Sequence, residues 1–462
     1  MPSVAVVGAG LTGLAAASRL SACGAAVSLF EAAERVGGVV RSERHEGYLI
    51  ELGPSSMARP TPAVSALLTA AGLDADRLPT APEARQRYIV RGGRLVPLPL
   101  SPPALLASPL LSAGAKLGLM REPFTAPSPP DAEESVADFV RRRLGTEVLD
   151  YVADPFVAGV YAGDPEQLMV RHALPAIYAL EQQHGSLLKG ALARIGRAAG
   201  GDHAIWSYRH GLQQIPDALA ARLRGTVHLG APVVAIMRDG SRWMLRYRSG
   251  GKESSATFDA VVFAAPAHAL GVIALDPALA PLRALASVPH PPVAVLSLGF
   301  RRADVRHPLD GFGMLVPSVE RLGILGAVFS STLFPGRAPE GHLLLTVFIG
   351  GAREPTAAGS DTDALTARAM APLRTLLGVR AEPVFRRSMV WPAAIPQFVR
   401  GYGRVRAALD EAEAAAPGFV AAGTYRDGVA VGDALKSGVT AAERVLAGRA
   451  PASAAPDGAA AR

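Results

Sequence analysis

The residues best placed to do chemistry are three glycines, Gly8, Gly10 and Gly13, in the stretch VAVVGAGLTGLAAASRL. They form a G-x-G-x-x-G pattern between an apolar segment typical of a buried strand and one typical of a helix. The first glycine makes the turn, the second lets the backbone approach a pyrophosphate, and the third lets helix and strand pack closely. Glu31 follows about 20 residues later, where a carboxylate can accept hydrogen bonds from ribose hydroxyls. The pattern predicts a dinucleotide site.

Two further glycine patterns favour FAD over NAD as that dinucleotide. Gly37 and Gly38 follow soon after Glu31, and a second close approach of the backbone suits a longer, extended cofactor. The later stretch AGTYRDGVAVGDALKSG places Gly428 before a predicted helix, whose N-terminus would stabilise negative charge on a reduced flavin. Each feature alone also fits an ordinary turn, so the prediction of FAD depends on their combination.

The elements that must position these residues begin with a strand, turn, helix and strand over residues 3–31. A helix is predicted over 62–73, and a hairpin around Gly92 and Gly93 within residues 87–100. Residues 101–200 favour helices, whereas 205–266 and 291–351 favour strands by alternation and by β-branched residues. A helix over 362–378 and a final strand, turn and helix complete the pattern.

These elements predict an α/β fold, α+β overall, built on a discontinuous Rossmann-like domain. The predicted parts are an FAD-binding domain in three segments, a mostly β substrate domain in two segments, a helical insertion and a disordered tail. The FAD-binding domain comprises residues 1–75, 205–268 and 389–448, and the substrate domain comprises 76–95 and 269–388. The helical insertion comprises residues 96–204 and the tail 449–462.

Composition excludes several classes of function. Of 462 residues, 47 are basic and 40 acidic, but basic residues form no dense run, so nucleic acid is not an expected partner. The net charge of +7 fits either base composition of the genome or an anionic substrate or lipid. A single cysteine, Cys23, excludes internal disulfides, and the ten histidines lack the spacing of a metal site. With a strand starting at residue 3, no signal peptide is expected, which predicts a cytoplasmic location.

One uncharged stretch, residues 95–115, is long enough to raise the question of a membrane. Its five prolines remove too many backbone donors for a spanning helix. Two interpretations stay open: loops with short helices, or an apolar patch within residues 96–119 that rests on the inner face of the cell membrane.

Several longer stretches resemble the FAD-dependent protoporphyrinogen oxidases of haem biosynthesis, a family grouped with amine oxidases and phytoene desaturases. The resemblance covers residues 3–448, and its glycine fingerprint and ERVGG motif are common to the whole group. The more specific stretches are ELGPSS (51–56), RYIVRGG (87–93), GVYAGDPEQL (159–168), GFGMLVP (311–317), LTVFIGG (345–351), IPQF (395–398) and YRDGVAVGDALKSG (425–438).

By position, the resemblance implies cofactor contacts from the pyrophosphate loop, the adenosine end, two loops beside the flavin and the last motif. These residues are Gly8, Ala9, Gly10, Leu11, Thr12, Gly13, Glu31, Ala32, Val39, Gly53, Pro54, Ser55, Ser56, Val233, Trp391, Val429, Ala430 and Val431.

The resemblance also implies a pocket for a tetrapyrrole. Arg87 would pair with a propionate, and the backbone of Gly159 would approach the ring. Four apolar residues would form its walls: Phe312, Leu315, Val328 and Phe348. Without the resemblance, ordinary core packing is the better explanation of those four. No side chain is expected to act as a catalyst, because the flavin performs the chemistry.

The implied reaction converts protoporphyrinogen IX to protoporphyrin IX in three two-electron steps, with dioxygen as the final acceptor. Oxidation of coproporphyrinogen III is the nearest alternative. A flavin amine oxidase is disfavoured because lysine is scarce, and a desaturase or a non-catalytic FAD protein also stays open. The pathway implies transfer of product to a ferrochelatase, whereas a homodimer is neither indicated nor excluded.

Overall fold

The computed structural model describes residues 2–99, 101–130, 132–195 and 205–448. The predicted disordered tail and the end of the predicted helical insertion lie outside these residues. The strands are β1 (Ser3–Val7), β2 (Ala26–Phe30), β3 (Ser42–His45), β4 (Tyr48–Glu51), β5 (Met57–Ala58), β6 (Arg77–Pro79), β7 (Gln86–Arg91), β8 (Arg94–Pro97), β9 (Ile205–Tyr208), β10 (Gly225–His228), β11 (Val233–Asp239), β12 (Arg242–Ser249), β13 (Lys252–Phe258), β14 (Ala260–Phe263), β15 (Ala274–Leu275), β16 (Val293–Arg301), β17 (Gly311–Leu315), β18 (Gly326–Val328), β19 (His342–Gly350), β20 (Phe385–Trp391) and β21 (Phe419–Ala421).

The helices alternate with these strands and cluster between β8 and β9. They are α1 (Leu11–Ala22), α2 (Pro62–Ala70), α3 (Pro102–Ala107), α4 (Ala113–Leu119), α5 (Val136–Leu144), α6 (Thr146–Val148), α7 (Asp154–Tyr161), α8 (Val170–Ala173), α9 (Pro175–His184), α10 (Leu187–Ile195), α11 (Gln214–Ala221), α12 (Ser330–Leu333), α13 (Thr362–Leu377), α14 (Tyr402–Ala415), α15 (Thr424–Asp427) and α16 (Val431–Ala447).

A five-stranded parallel sheet forms the Rossmann-like part, in the order β10-β2-β1-β14-β21. Alternate residues of β1 enter two separate cores, Val4 and Val6 on one side and Ala5 and Val7 on the other. Burial on both faces explains why these strands are continuously apolar. The sheet joins distant parts of the sequence, and together with the antiparallel sheets it confirms the predicted α/β class.

A second, seven-stranded sheet follows the order β20-β16-β19-β18-β17-β7-β8. One of its faces packs on α13, where Met314, Ala327 and Val347 meet Leu365 and Leu373. The hairpin predicted around Gly92 and Gly93 is confirmed as β7 and β8, at one edge of this sheet. On the opposite face, Leu344 of β19 packs on Tyr48 and Ile50 of β4.

Three smaller sheets accompany the two large ones. A four-stranded sheet, β13-β12-β11-β15, packs its Trp243 and Leu245 into the core on one side of the parallel sheet. Strands β5, β9 and β6 form a short antiparallel sheet, and β3 pairs with β4. Hairpin β3–β4 ends at Glu51, the first residue of the ELGPSS stretch.

Candidate functional site

The glycine fingerprint forms a tight turn between β1 and α1. The amide of Gly8 donates to the carbonyl of Phe30 at 2.7 Å, which fixes the turn against β2. A Cβ atom on Gly13 would lie 1.8 Å from the carbonyl oxygen of Gly8, so this position requires glycine for close packing of helix and strand. A Cβ atom on Gly10 would meet no protein atom within 4 Å. The second glycine therefore borders open space at the N-terminus of α1, where a pyrophosphate would be accommodated.

The adenosine end predicted from Glu31 and Ala32 gathers three segments. The carboxylate of Glu31 accepts from the amide of Ala9 at 2.7 Å and from the amide of Ala33 at 2.8 Å. The Glu31 carbonyl accepts from the amide of Ala231 at 2.7 Å, two residues before Val233. The structure thus brings Glu31, Ala32 and Val233 together beside the first turn.

The second glycine pair has a packing role that the sequence did not reveal. Gly37 forms a parallel bridge with Gly10, and its amide donates to the carbonyl of Ala9 at 2.8 Å. A Cβ atom on Gly38 would lie 3.3 Å from the Cα atom of Gly10. Close contact with the first loop is therefore sufficient to explain both glycines.

Residues 53–56, hereafter the flavin loop, lie between the two large sheets. A Cβ atom on Gly53 would lie 2.0 Å from the carbonyl oxygen of Val39, so the two predicted flavin contacts are neighbours. The indole Nε1 of Trp391, at the end of β20, donates to the carbonyl of Leu52 at 2.6 Å. Ser55 lines a small cavity together with Val328 of β18. The flavin loop, which also contains Pro54 and Ser56, is thereby held to the seven-stranded sheet at its start.

The last motif brings a second helix N-terminus to the same place. The hydroxyl of Thr12 donates to the carbonyl of Ala434 at 2.9 Å, which ties α1 to the first turn of α16. The carboxylate of Asp433 accepts from the amide of Ala430, and burial raises the pKa of Asp433. Val429, Ala430 and Val431 therefore adjoin the glycine fingerprint, and two positive helix ends face one region.

These features fit FAD. Open space beside Gly10, two adjacent helix N-termini and the carboxylate of Glu31 suit a pyrophosphate and a ribose. Val39 adjoins Gly53 of the flavin loop, and Trp391 bonds Leu52 directly before that loop. The residues that would hold the cofactor thus come from the loops after β1 and β2, the flavin loop, the end of β20 and the start of α16.

The predicted tetrapyrrole walls lie on one face of the seven-stranded sheet, hereafter the substrate face. Leu315 and Phe348 both pair with Gly326, one from each neighbouring strand. Directly opposed residues of antiparallel strands share a face, so the two apolar side chains flank a position with no side chain. Val328 lies two residues from Gly326 and so points to this face as well. The arrangement forms an apolar slot.

Arg87 lies on the substrate face because it is two residues from Ile89, which pairs with Leu315. Phe312 reaches the same face because β17 is irregular. Between its pairings Gly311 with Gln86 and Met314 with Tyr88, β17 contains one residue more than β7. Such a bulge re-aims side chains. The Arg87 guanidinium lies over the Phe312 ring, 5.8 Å from its centroid, and Arg87 is exposed.

Gly159 lies on α7 and touches the same slot. A Cβ atom there would come within 2.7 Å of Leu315 Cδ2. The helix is fixed at its first residue, Asp154, whose carboxylate accepts from the amide of Ser318 at 2.8 Å and pairs with Arg353. Burial raises the pKa of Asp154 although Arg353 opposes it. The structure thus brings Gly159 and Leu315 together.

Sequence reasoning missed a buried ion pair between these two parts of the site. Glu51 and Arg337 approach to 3.2 Å and are 5% and 2% exposed. Glu51 had a detectable signal, since it ends the fully buried strand YLIE and carries its only charge. Arg337 had none, because it lies in a loop with no periodic pattern.

Within the described parts of the chain, no cluster of histidine, cysteine or carboxylate side chains could hold a metal ion. No helix among residues 2–99, 101–130, 132–195 and 205–448 has both the length and the hydropathy needed to cross a bilayer.

Comparison with known proteins gives a consistent result. Residues 11–446 match the family described as "Flavin containing amine oxidoreductase". Among similar proteins, Protoporphyrinogen oxidase 2, chloroplastic/mitochondrial, of Arabidopsis thaliana is 36% identical, over 96% of this chain and 93% of its own length. Protoporphyrinogen oxidase of Homo sapiens is 35% identical, over 96% and 98% of the two chains.

Solved structures support the fold. A protein from Exiguobacterium sp. 255-15, provisionally named a protoporphyrinogen oxidase, superposes with a TM-score of 0.79 at 24% identity, over 96% of this chain and 98% of the other. A reduced UDP-galactopyranose mutase gives a TM-score of 0.74 at 17% identity, over 97% and 94% of the chains. At these identities the likeness concerns the architecture alone.

Proposed function

Because the chain belongs to the flavin-containing amine oxidoreductase family and matches protoporphyrinogen oxidases over almost its whole length, we propose that it oxidises protoporphyrinogen IX to protoporphyrin IX. The predictions of this family, of an FAD-dependent enzyme and of its class of reaction are confirmed by those matches. When bound, FAD supplies the redox chemistry by accepting electrons two at a time.

The observation that carries the proposal is the slot on the substrate face. Leu315 and Phe348 flank Gly326, so the substrate face presents two apolar walls on either side of a position without a side chain. Val328 shares a cavity with Ser55 of the flavin loop, which sets the slot beside the cofactor lining. The protein's own residues thus bind and orient the ring and exclude water from it, and we assign no proton transfer to a side chain here.

The direct test compares two porphyrinogen substrates and measures both the porphyrin and the peroxide that are formed. The purified yellow protein is mixed in air with protoporphyrinogen IX or coproporphyrinogen III, and porphyrin fluorescence is followed above the autoxidation blank. We expect a higher kcat/KM with protoporphyrinogen IX and release of peroxide as dioxygen is consumed. A higher kcat/KM with coproporphyrinogen III would show that coproporphyrinogen III is the substrate instead. Catalysis without release of peroxide would show that dioxygen is not the electron acceptor.

We propose that Arg87 orients the substrate by pairing with a carboxylate. Replacing Arg87 with alanine should raise KM for protoporphyrinogen IX by about tenfold or more, because a charge-assisted hydrogen bond is lost, while kcat changes less. Arg87→Lys should recover part of the loss. Arg85→Ala is the matched control, since Arg85 is also exposed and donates to the carbonyl of Pro82. Equal KM values for the Arg87 and Arg85 variants would refute the assignment.

Peripheral membrane contact is a further part of the proposal. Within residues 96–119, Leu110 and Leu111 are buried, but α4 leads into an exposed group of apolar side chains. That group, hereafter the apolar tip, consists of Leu117, Met120, Phe124, Leu188 and Leu192. Glu122 holds its two segments together by accepting from the amides of Leu187 and Leu188. Exposed Arg121 and Lys189 adjoin it, as suits a surface resting on anionic lipid.

Flotation with anionic liposomes tests the apolar tip. We expect the unaltered protein to float and a variant with Leu117, Met120 and Phe124 replaced by serine to remain in solution, since most of the exposed apolar area is lost. Val272→Ser is the control, because Val272 is 86% exposed and lies outside the tip. If the triple variant floats to the same extent as the Val272→Ser control, the apolar tip does not bind the membrane.

A further inference from the structure

The ion pair of Glu51 and Arg337 occupies an unusual place in the site. Glu51 ends β4 and lies two residues before the flavin loop, whereas Arg337 follows α12 in the part of the chain that forms the substrate face. The two charges are 3.2 Å apart and almost completely shielded from water. Burying two charges is costly unless other hydrogen bonds complete their shells, so such a pair calls for a specific role.

The remaining bonds of the pair connect three separate segments. Glu51 Oε2 accepts from the hydroxyl of Ser42 at 2.5 Å, and Oε1 accepts from the amide of Leu212 at 3.0 Å. Arg337 Nη2 donates to the hydroxyl of Ser207 at 2.7 Å. Hairpin β3–β4, the segment around β9 and the loop after α12 therefore meet at this one pair.

A cavity of about 10 Å³ lies beside the pair. It is lined by Glu51 and Arg337, by Ser55 of the flavin loop and by Val328 of the substrate face. Arg337 Nη1 is buried and has no hydrogen-bond partner among the described residues. This volume is close to the minimum for one water molecule, which the free Nη1 donor could bind. The pair therefore lies between the flavin loop and the wall.

We propose that Glu51 and Arg337 are positioning residues that fix the flavin loop at a set separation from the substrate face. Trp391 holds Leu52, directly before the loop, and the ion pair holds Glu51, one residue earlier. This inference rests on the proposed function, because the separation matters only if a ring must lie between loop and wall. Neither side chain needs to touch the substrate, so the effect acts through the geometry of the loop.

The charge state of the ion pair predicts a second measurable effect, a dependence of kcat on pH. Burial raises the pKa of Glu51 to about 7, while Arg337 opposes the rise. Among the described residues that line the cavity, Glu51 and Arg337 are the charged ones, and Arg44 acts on Arg337 from outside. Protonation of Glu51 on acidification removes the ion pair, so kcat should fall as pH drops through this range.

The variants Glu51→Gln and Arg337→Lys test the inference in the FAD-loaded enzyme. We expect both to remain yellow, with kcat lowered by about tenfold or more and KM changed far less, because misplacement of reacting groups by about 1 Å costs up to a hundredfold. Glu51→Gln should also flatten the pH profile of kcat. Arg337→Lys should lose less activity than Arg337→Met, because it keeps the charge.

A readout that needs no substrate separates this inference from the proposed function. The visible circular dichroism of the bound flavin should change in both variants, even if the enzyme proves to act on another substrate. Arg374→Gln is the control, since its ion pair with Glu382 is at least half exposed and α13, which carries Arg374, packs on the other face of the seven-stranded sheet. If the charge variants fail to fold, Ser42→Ala removes one bond to Glu51 and should give the same changes in smaller measure. Unaltered kcat, pH profile and flavin dichroism in folded variants would overturn the inference.

Discussion

Replacing Gly13 with alanine is expected to give protein without bound FAD, whereas the same change at Gly10 should leave a folded chain that binds FAD weakly. In the Gly13→Ala variant the new Cβ atom would lie 1.8 Å from the backbone oxygen of Gly8, and no flexible side chain can yield there. The first turn of α1 must then move away from β1, which destroys the pyrophosphate site and the contact with α16.

At Gly10 the added methyl group meets no protein atom within 4 Å, so folding has no reason to suffer. The same methyl group occupies the space beside the helix N-terminus where the pyrophosphate would lie, and the FAD dissociation constant should rise by about tenfold or more, equivalent to at least about 1.4 kcal/mol. Far-ultraviolet circular dichroism of the apoproteins measures folding, and the ratio of flavin to protein absorbance measures FAD content. The interpretation fails if Gly13→Ala retains a full complement of FAD, or if both variants unfold alike.

The two glycines show what local sequence can predict. The unit β1-α1-β2 depends on neighbouring residues, so its spacing, apolar runs and glycines predicted both the elements and the cofactor class. Such reasoning could not predict the order of the parallel sheet, because β14 pairs with β1 across more than 250 residues and β21 pairs with β14 across more than 150. Only long-range pairing, not local pattern, decides that order.

The substrate face illustrates a second limit. Phe312 and Leu315 are three residues apart in a strand, a spacing that places side chains on opposite faces. The extra residue in β17 between Gly311 and Met314 changes this alternation. No residue pattern in the stretch GFGMLVP predicts such a bulge. The family resemblance supplied these residues as a set, whereas their arrangement follows from the register of β7, β17, β18 and β19.

Buried charges were the least predictable feature, since sequence reasoning assigns arginine and glutamate to the surface. In the helical segment, Arg143 and Glu181 have fully buried side chains, and Glu122 is 2% exposed. Glu181 Oε1 accepts from Arg143 Nε at 2.5 Å and from Arg142 Nη2 at 2.9 Å. Helices α5, α9 and the start of α10 therefore share one buried network, which also supports the segment that carries the apolar tip.

Glu181→Ala should lower the free energy of unfolding by about 3–5 kcal/mol, because it leaves the buried Arg143 with Glu122 as its remaining ion-pair partner, whereas Arg142 keeps Glu134. Urea unfolding of the FAD-bound protein at neutral pH measures the change, and Glu166→Ala is the control, since the Glu166 pair with Arg141 is half exposed. A loss for Glu181→Ala no larger than for that control would contradict the argument.

The same network should confer acid sensitivity. Burial opposes ionisation of Glu122, but hydrogen bonds from Ser186, Leu187 and Leu188 and the charge of Arg143 together lower the pKa of Glu122. A carboxyl whose pKa is lower when folded adds stability above its unfolded pKa, near 4.5, and loses it as pH falls through the folded value. The unaltered protein should therefore lose part of its stability below about pH 4.5. Glu122→Gln should show a smaller loss over that range, because it lacks the titrating group while keeping an acceptor for the α10 amides.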